Sequence, residues 1–235
     1  MKKNIFNFKQ FSIIHSQDVM KVGTDAVLLG ASVDIADAKN ILDIGTGTGL
    51  IALMLAQKLK ANITAIDILD QACENAAENA NNSKWKDRIK IIKTSLQEYK
   101  PENTFDLIVS NPPFYTADTH SPDKNRTIAR HIIAMLPEDI IAFCQKYLSE
   151  KGNCVVIYPV NIAEHFVKIA LQNGFYINSI LNIKSNYKSE IIRKIVQFGK
   201  YNAVLKENTI SIEKEERHDY TFEYIEMTKS FYLNF

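Results

Sequence analysis

The sequence contains few cysteines, and their spacing matches neither a metal site nor a disulfide framework. There are three, Cys73, Cys144 and Cys154, an odd number with no pair at the separation of zinc ligands. We therefore expect reduced thiols that pack in the core, and no bound metal.

The chain also lacks an excess of charge and a long apolar run. Its formal net charge is +1, so no overall field attracts nucleic acid, and such a partner would need a local basic patch. No apolar stretch reaches the length of a membrane span, and polar residues soon follow Met-Lys-Lys, where a secretion signal would be apolar. These absences favour a cytoplasmic protein.

Internal repeats and low-complexity segments are absent as well, and the composition favours one core. With 235 residues, of which 46% are hydrophobic and 23% charged, the chain suffices for one sizeable domain and is short for two. We divide it into an N-terminal extension, residues 1–39, and a main domain, residues 40–235. The extension is expected to act as a lid over the ligand site of the main domain.

The chain is organised around an apolar strand that begins at Asn40 and runs into a turn with three glycines. These are Gly45, Gly47 and Gly49, and an apolar segment with helical spacing follows. Glycine adopts backbone angles barred to other residues, and a helix start offers unpaired N–H groups to a ligand. The next predicted strand ends about eighteen residues after Gly49, in Asp67, whose carboxylate can accept hydrogen bonds from both hydroxyls of a ribose. The combination indicates a nucleotide-like ligand.

The glycine spacing decides which ligand is expected. A dinucleotide fingerprint would place its third glycine at position 50, where this chain has Leu50. The run is instead Asp-x-Gly-x-Gly-x-Gly, from Asp43 to Gly49, which resembles the first motif of the class I methyltransferases. In those enzymes the glycines pass under the amino-acid end of S-adenosylmethionine. A sulfonium cofactor has no pyrophosphate and therefore less need of a wide anion cradle.

Strands and helices alternate after residue 40, which is typical of a parallel sheet covered on both faces. Four further parallel strands are predicted at 62–66, 88–92, 104–110 and 153–158. The runs 175–183 and 191–198 are joined by a connection too short for a parallel pair, so we expect them to be antiparallel. The predicted fold is α/β and Rossmann-like: a seven-stranded, mostly parallel sheet with an antiparallel last strand and helices on both faces. Residues 209–212 are one more strand candidate.

A stiff segment rich in acceptors follows the strand at 104–110. Its residues lie where an open α/β sheet binds ligands: Asn111, Pro112, Pro113 and Phe114. Proline has no N–H and a fixed φ, which leaves carbonyl oxygens free to face a ligand. The oxygens of Asn111 and Pro112 would accept from a planar amino group during methylation, and Phe114 would stack on a flipped base. The alternative is an ordinary turn with Phe114 in the core, which the upstream glycine loop disfavours.

Short motifs extend this likeness along nearly the whole chain. They are Phe8-Lys9-Gln10-Phe11, Met20-Lys21-Val22-Gly23-Thr24-Asp25, Leu28-Leu29-Gly30, Leu42-Asp43-Ile44-Gly45, residues 52–57, Asn111-Pro112-Pro113-Phe114-Tyr115 and Phe231-Tyr232-Leu233. Together they resemble the bacterial tRNA1(Val) (adenine-37-N6)-methyltransferase family. The resemblance implies in-line methyl transfer from S-adenosylmethionine to adenine 37, flipped out of the anticodon loop. It also implies cofactor contacts at Lys21, Thr24, Asp25, Asp43, Gly45, Gly47, Gly49, Asp67, Ile68, Ser95, Leu96 and Asn111.

Several alternatives stay open from the sequence. Guanine-N2 RNA methyltransferases also use Asn-Pro-Pro-Phe, and release-factor glutamine methyltransferases use Asn-Pro-Pro-Tyr after a longer N-terminal domain than the segment before Asn40. A binding module without chemistry is disfavoured by the intact Asp43 and Asn111. Thr24 or Asp25 could cap a helix instead of contacting the cofactor.

Basic residues offer a local patch for RNA although the chain is nearly neutral. The candidates lie near the start, after the acceptor-rich segment and around the antiparallel turn: Lys9, Arg126, Arg130, His131, Lys188 and Arg193. Cationic side chains of this kind neutralise phosphates and position a nucleic acid. We therefore expect a monomer that binds tRNA through a basic rim.

Overall fold

Alternating strands and helices make up the part of the chain that the structure describes. It is a computed structural model and describes residues 4–15, 22–113 and 135–235. The strands are β1 (Asn4–Asn7), β2 (Ser12–His15), β3 (Asn40–Ile44), β4 (Asn62–Asp67), β5 (Ile89–Lys93), β6 (Phe105–Ser110), β7 (Leu148–Pro159), β8 (Tyr176–Asn186), β9 (Ile191–Gly199) and β10 (Lys206–Glu213). The helices are α1 (Thr24–Ser32), α2 (Leu50–Lys58), α3 (Asp70–Asn81), α4 (Pro137–Tyr147), α5 (Val160–Gln172) and α6 (Phe222–Thr228).

Within these ranges the main sheet has eight strands in the order β10-β8-β9-β7-β6-β3-β4-β5. Strands β3 to β7 are parallel, and β9 is antiparallel to both of its neighbours, β7 and β8. The mostly parallel sheet with one antiparallel strand is thus confirmed. The predicted number of seven strands is wrong by one, because the candidate at 209–212 extends to Lys206–Glu213 and adds β10 at the edge, parallel to β8.

Side chains of the central strands alternate between two apolar cores, one on each face of the sheet. On β3, Ile41 belongs to one core and Leu42 to the other, and on β6 Leu107 and Ile108 divide in the same way. Helices α1 and α2 pack in the first core, and α4 and α5 pack in the second. Strands buried on both sides read as continuous apolar runs in the sequence, which is why they were predictable.

The order of the strands reverses between β3 and β6. From β3 the chain moves outward through β4 to β5, and it then returns to β6 on the other side of β3. In open α/β sheets a crevice for ligands forms at this point, outside the carboxyl ends of the strands. In the present sheet the ends are marked by Ile44 and Ser110, which are neighbours across the two strands.

Strands β1 and β2 form a separate hairpin that packs on the C-terminal segment. The ring of Phe8 stacks on those of Phe11 and Tyr232, with centroids 4.7 and 5.7 Å apart. The ammonium of Lys9 donates to the carbonyls of Lys229 and Phe235 at 2.7 and 2.6 Å. Aromatic packing and these charge-assisted bonds therefore fix the position of the hairpin.

The structure bears on two expectations from the composition, the state of the cysteines and the lack of a membrane span. Cys144 and Cys154 are buried, as predicted for core thiols, whereas Cys73 is half-buried; all three are free thiols. Over the described ranges, no helix has both the length and the apolar character to cross a membrane.

Candidate active site

The glycine loop passes through three left-handed residues between β3 and α2. Gly45, Gly47 and Gly49 have φ angles of 70°, 57° and 79°, a region that strains any residue with a Cβ. The N–H groups of Gly45 and Thr46 both donate to the carbonyl of Ile66, at 2.9 and 3.0 Å. The start of the loop is thereby attached to the end of β4, and its path requires glycine.

Asp67 is held by two backbone groups at the end of β4. Its Oδ2 accepts from the N–H of Gly47 at 2.9 Å, and its Oδ1 accepts from the N–H of Leu69 at 3.0 Å. Each carboxylate oxygen has a second lone pair, so both retain the capacity to accept from a ligand hydroxyl. The next side chain, Ile68, is 42% exposed and offers an apolar surface beside the carboxylate.

Asp43 is a fully buried carboxylate next to the loop. The hydroxyl of Thr46 donates to its Oδ2 at 2.6 Å, whereas its Oδ1 has no hydrogen-bond partner in the part of the chain that the structure describes. Burial raises the pKa of Asp43 to about 7; hydrogen bonds from the Thr46 hydroxyl and the Ala52 backbone N–H oppose this shift, and the charge of Asp67 adds to it. A buried carboxylate is costly unless a donor or a positive charge satisfies it. Oδ1, which is buried without a partner, therefore suits a cationic ligand group.

Ser110 brings the acceptor-rich segment to the glycine loop. It is completely buried, and its hydroxyl donates to the carbonyl of Ile44 at 2.9 Å. Asn111 follows Ser110 directly, just as Gly45 follows Ile44, so Asn111 lies beside the start of the glycine loop. Pro112 is buried and Asn111 half-buried, like Pro113. Phe114 lies outside the described residues.

Ser95 and Leu96 follow β5 in a turn that is attached to the end of β4. The N–H of Thr94 donates to the carbonyl of Asp67 at 2.9 Å. The hydroxyl of Ser95 donates to the carboxylate of Glu98 at 3.1 Å and accepts from its N–H at 3.2 Å. Leu96 is buried in the second core. The turn thus borders the same end of the sheet as Asp67.

Thr24 and Asp25 are the first residues of α1, and neither caps it. The N-cap is Gly23, and no side chain forms a cap hydrogen bond, so the helix-cap interpretation is wrong. Asp25 instead accepts from the Nε of Arg193 at 2.9 Å, in an ion pair whose two side chains are each 27% exposed. Asp25, which was expected to contact the cofactor, and Arg193, which was expected to contact RNA, therefore bind each other. Lys21 lies outside the described residues.

Each expected RNA-binding residue that the structure describes has a partner within the protein. Lys9 donates to two carbonyls near the C-terminal end, Lys188 lies 3.0 Å from the carboxylate of Glu215, and Arg193 pairs with Asp25. The remaining candidates lie outside the described residues: Arg126, Arg130 and His131. RNA binding by this set stays a prediction.

Three side chains that hold these loops were not predicted as site residues from the sequence: Thr46, Ser110 and Asn79. Thr46 had a local signal, because it lies within the glycine turn just after Asp43. Ser110 and Asn79 had none, since their partners Ile44 and Thr48 lie 66 and 31 residues away in the sequence. Contacts of this kind depend on the fold and not on local spacing.

Comparison with known proteins identifies the class. The family model Methyltransferase small domain matches residues 6–189. A predicted O-methyltransferase from Agrobacterium tumefaciens has a similar structure, with a TM-score of 0.71 at 18% identity over 88% of this chain and 96% of that one. A Pyrococcus horikoshii protein in complex with MeSAdo gives a TM-score of 0.60 at 16% identity over 85% of this chain and 72% of that one. The fold is that of the class I, S-adenosylmethionine-dependent methyltransferases.

Relatives of full length narrow the class to one family. A protein from Trichodesmium erythraeum is 42% identical over 240 residues, which cover 100% of both chains. One from Flavobacterium psychrophilum is 42% identical over 97% of this chain and 99% of its own. Both are named tRNA1(Val) (adenine(37)-N6)-methyltransferase. The chain belongs to this family, as its motifs predicted.

Proposed function

We propose that the chain transfers a methyl group from S-adenosylmethionine to the N6 atom of adenine 37 in tRNA1(Val), as a cytoplasmic monomer. The observation that carries this proposal is the bond from the Ser110 hydroxyl to the Ile44 carbonyl, which sets Asn111 beside the glycine loop. An acceptor for the target amino group and the groups that suit the cofactor then share one end of the sheet. The names of the relatives supply the tRNA and the position of the base.

The residues around the loop fit S-adenosylmethionine. The Oδ1 atom of Asp43 is buried without a partner and suits an ammonium group. A Cβ built on Gly47 would meet nothing within 4 Å, so the space there is open to a ligand. Asp43 and the glycines would hold the amino-acid end, Asp67 the ribose, and Ile68 with Leu96 the adenine.

The chain's own residues would activate the target nitrogen. The bound cofactor supplies an electrophilic methyl group on sulfur. The amide oxygen of Asn111 and the carbonyl of Pro112 would accept from the two hydrogens of the adenine amino group, which draws its lone pair out of conjugation with the ring. The same oxygens would stabilise the positive charge that develops on the nitrogen. The amino group would attack while it is neutral, and the bond between the methyl group and sulfur would break as the new N–C bond forms; no base must act beforehand, and the proton would leave to solvent afterwards.

Residues 1–39 are proposed to cover the cofactor side of the crevice, and Lys21, Thr24 and Asp25 stay proposed cofactor contacts. Two contacts support this role. The side chain of Asn79 bonds both to Ile14 in β2 and to the glycine loop, and the Asp25 ion pair attaches α1 to β9.

The proposed function can be tested with labelled S-adenosylmethionine and unmodified tRNA1(Val). Digestion of the RNA should yield labelled N6-methyladenosine, and a tRNA with guanine at position 37 should remain unlabelled. Labelled methylguanosine would instead identify a guanine-N2 enzyme. Label on a protein substrate and on no RNA would contradict the proposal.

Gly47→Ala should weaken binding of S-adenosylmethionine by more than about tenfold, whereas Gly174→Ala should leave it unchanged. Both glycines have a positive φ, 57° and 81°, and neither would bring a Cβ within 4 Å of another atom. Alanine therefore strains both backbones alike, by about 1–2 kcal/mol. Only at Gly47 would the new methyl group stand in the space proposed for the cofactor. Titration calorimetry and thermal unfolding measure the two effects, and equal affinities would contradict this placement.

A further inference from the structure

Asn79 on α3 is a buried amide that joins two segments of the chain. It is 1% exposed. Its Oδ1 accepts from the N–H of Ile14 at 2.8 Å, and its Nδ2 donates to the carbonyls of Ile14 and Thr48 at 2.9 and 2.8 Å. Both amide hydrogens and the oxygen are used, and a flipped amide would turn its oxygen toward the two carbonyls, so the orientation is determined. One side chain therefore holds β2 and the glycine loop together.

The bond to Thr48 restrains the part of the loop with the greatest freedom. Backbone groups at the end of β4 restrain the first part of the loop, and Asp67 restrains the N–H of Gly47. Thr48 lies between Gly47 and Gly49, both left-handed, and peptides beside glycine rotate with little steric resistance. By holding the Thr48 carbonyl, Asn79 fixes the plane of the peptide between Thr48 and Gly49.

We propose that Asn79 is a positioning residue for the cofactor loop, and that through it the hairpin β1–β2 contributes to the affinity for S-adenosylmethionine. This inference rests on the proposed function. A loop that is ordered before binding loses less conformational entropy when the ligand arrives, so its affinity is higher. Because coupling between two sites is reciprocal, the cofactor should in turn strengthen the attachment of Ile14.

Asn153→Ala is a matched control for Asn79→Ala. Asn153 is similarly buried, at 4% exposure, and its Oδ1 accepts from Asn178, Gln197 and Tyr201. It pairs with Gly199 on β9 and with Leu107 near the amino end of β6, away from the loops at the carboxyl ends of the strands. Both variants should unfold at a lower temperature than the wild type, because each leaves buried groups without a partner.

Cofactor binding should separate the two variants. Asn79→Ala should bind S-adenosylmethionine about tenfold more weakly than Asn153→Ala, which corresponds to about one net hydrogen bond. Its KM for the cofactor should rise by a similar factor, while kcat at saturating cofactor stays near that of the wild type. Asn79→Asp retains the acceptor for Ile14 and loses both donors, so it should behave like the alanine variant.

Hydrogen exchange in the wild type gives a second test that needs no substitution. The amide of Ile14, which donates to Asn79, should exchange more slowly when S-adenosylmethionine is saturating, and this measurement decides alone if the variants do not fold. Binding to the wild type is measured first, and its absence would overturn the proposed function together with this inference. If the wild type binds, equal affinities of the Asn79 and Asn153 variants, or an unchanged Ile14 amide, overturn the inference alone.

Discussion

Asn111→Ala is expected to slow methyl transfer by about 10²- to 10³-fold, the cost typical of removing one preorganised group that faces developing charge. The substitution removes the amide oxygen that we propose to accept from the adenine amino group, while Ser110 still joins β6 to Ile44. The effect should therefore fall on kcat more than on stability. Single-turnover measurements at saturating cofactor and tRNA report the chemical step directly.

Two further variants make this result specific. Asn111→Asp keeps an acceptor oxygen at the same place and should retain more activity than the alanine variant. Asn208→Ala removes an exposed amide from the edge strand β10 and should leave kcat unchanged. A wild-type rate in the Asn111→Ala enzyme would show that Asn111 is not an acceptor for the adenine amino group. The proposed role of Pro112 as the second acceptor would then lose its support as well.

Features of the site that depend on residues close together in the sequence were predictable. The glycines at 45, 47 and 49 follow directly from a strand that must turn into a helix, and all three adopt the positive φ that only glycine takes without strain. Asp67 was predictable because a strand of ordinary length places its last residue at the carboxyl edge of the sheet. In each case the local pattern contains the physical cause.

Contacts between distant segments were not predictable. The sequence indicated a strand near 209–212, but it gave no sign that this strand pairs with β8, since an edge position follows from the packing of the whole sheet. Asn79 is one of several polar residues in α3 and lies near the end of that helix, and only its position beside Ile14 and Thr48 explains its burial. Parallel pairs and buried amides of this kind are fixed by tertiary structure.

Positive charge in the sequence does not by itself show what a basic residue contacts. Arg193 forms a half-buried ion pair with Asp25, and Lys9 donates to two backbone carbonyls, so both contribute to holding segments of this chain together. A side chain in such a pair must give up its partner, or share it, before it can neutralise a phosphate. Electrostatic reasoning from composition cannot distinguish these two uses of a basic residue.

Asp43→Asn should stabilise the protein at neutral and higher pH in the absence of cofactor. Burial raises the pKa of Asp43 from 3.8 to about 7. Between these values the folded chain holds a proton that the unfolded chain has released, so the free energy of unfolding falls as the pH rises through this window. Asparagine does not titrate and avoids that loss. Relative to the wild type, the Tm of the variant should rise between about pH 5 and about pH 8, by roughly 2–4 °C for each kcal/mol gained.

The same substitution should remove most of the cofactor affinity at about pH 8, by more than about 10²-fold, because deletion of one partner from a buried charge pair costs roughly 3–5 kcal/mol. The ionised carboxylate is the form that would pair with the ammonium group of S-adenosylmethionine through Oδ1, the oxygen for which no partner was found in the described chain. Wild-type affinity should therefore fall as the pH drops through about 7, while the affinity of the variant stays flat over that range. Calorimetric titrations across this range test both statements. A variant that gains stability and still binds with wild-type affinity would mean that the buried oxygen does not face the cofactor. The presence of a destabilising carboxylate in the core would then need another explanation.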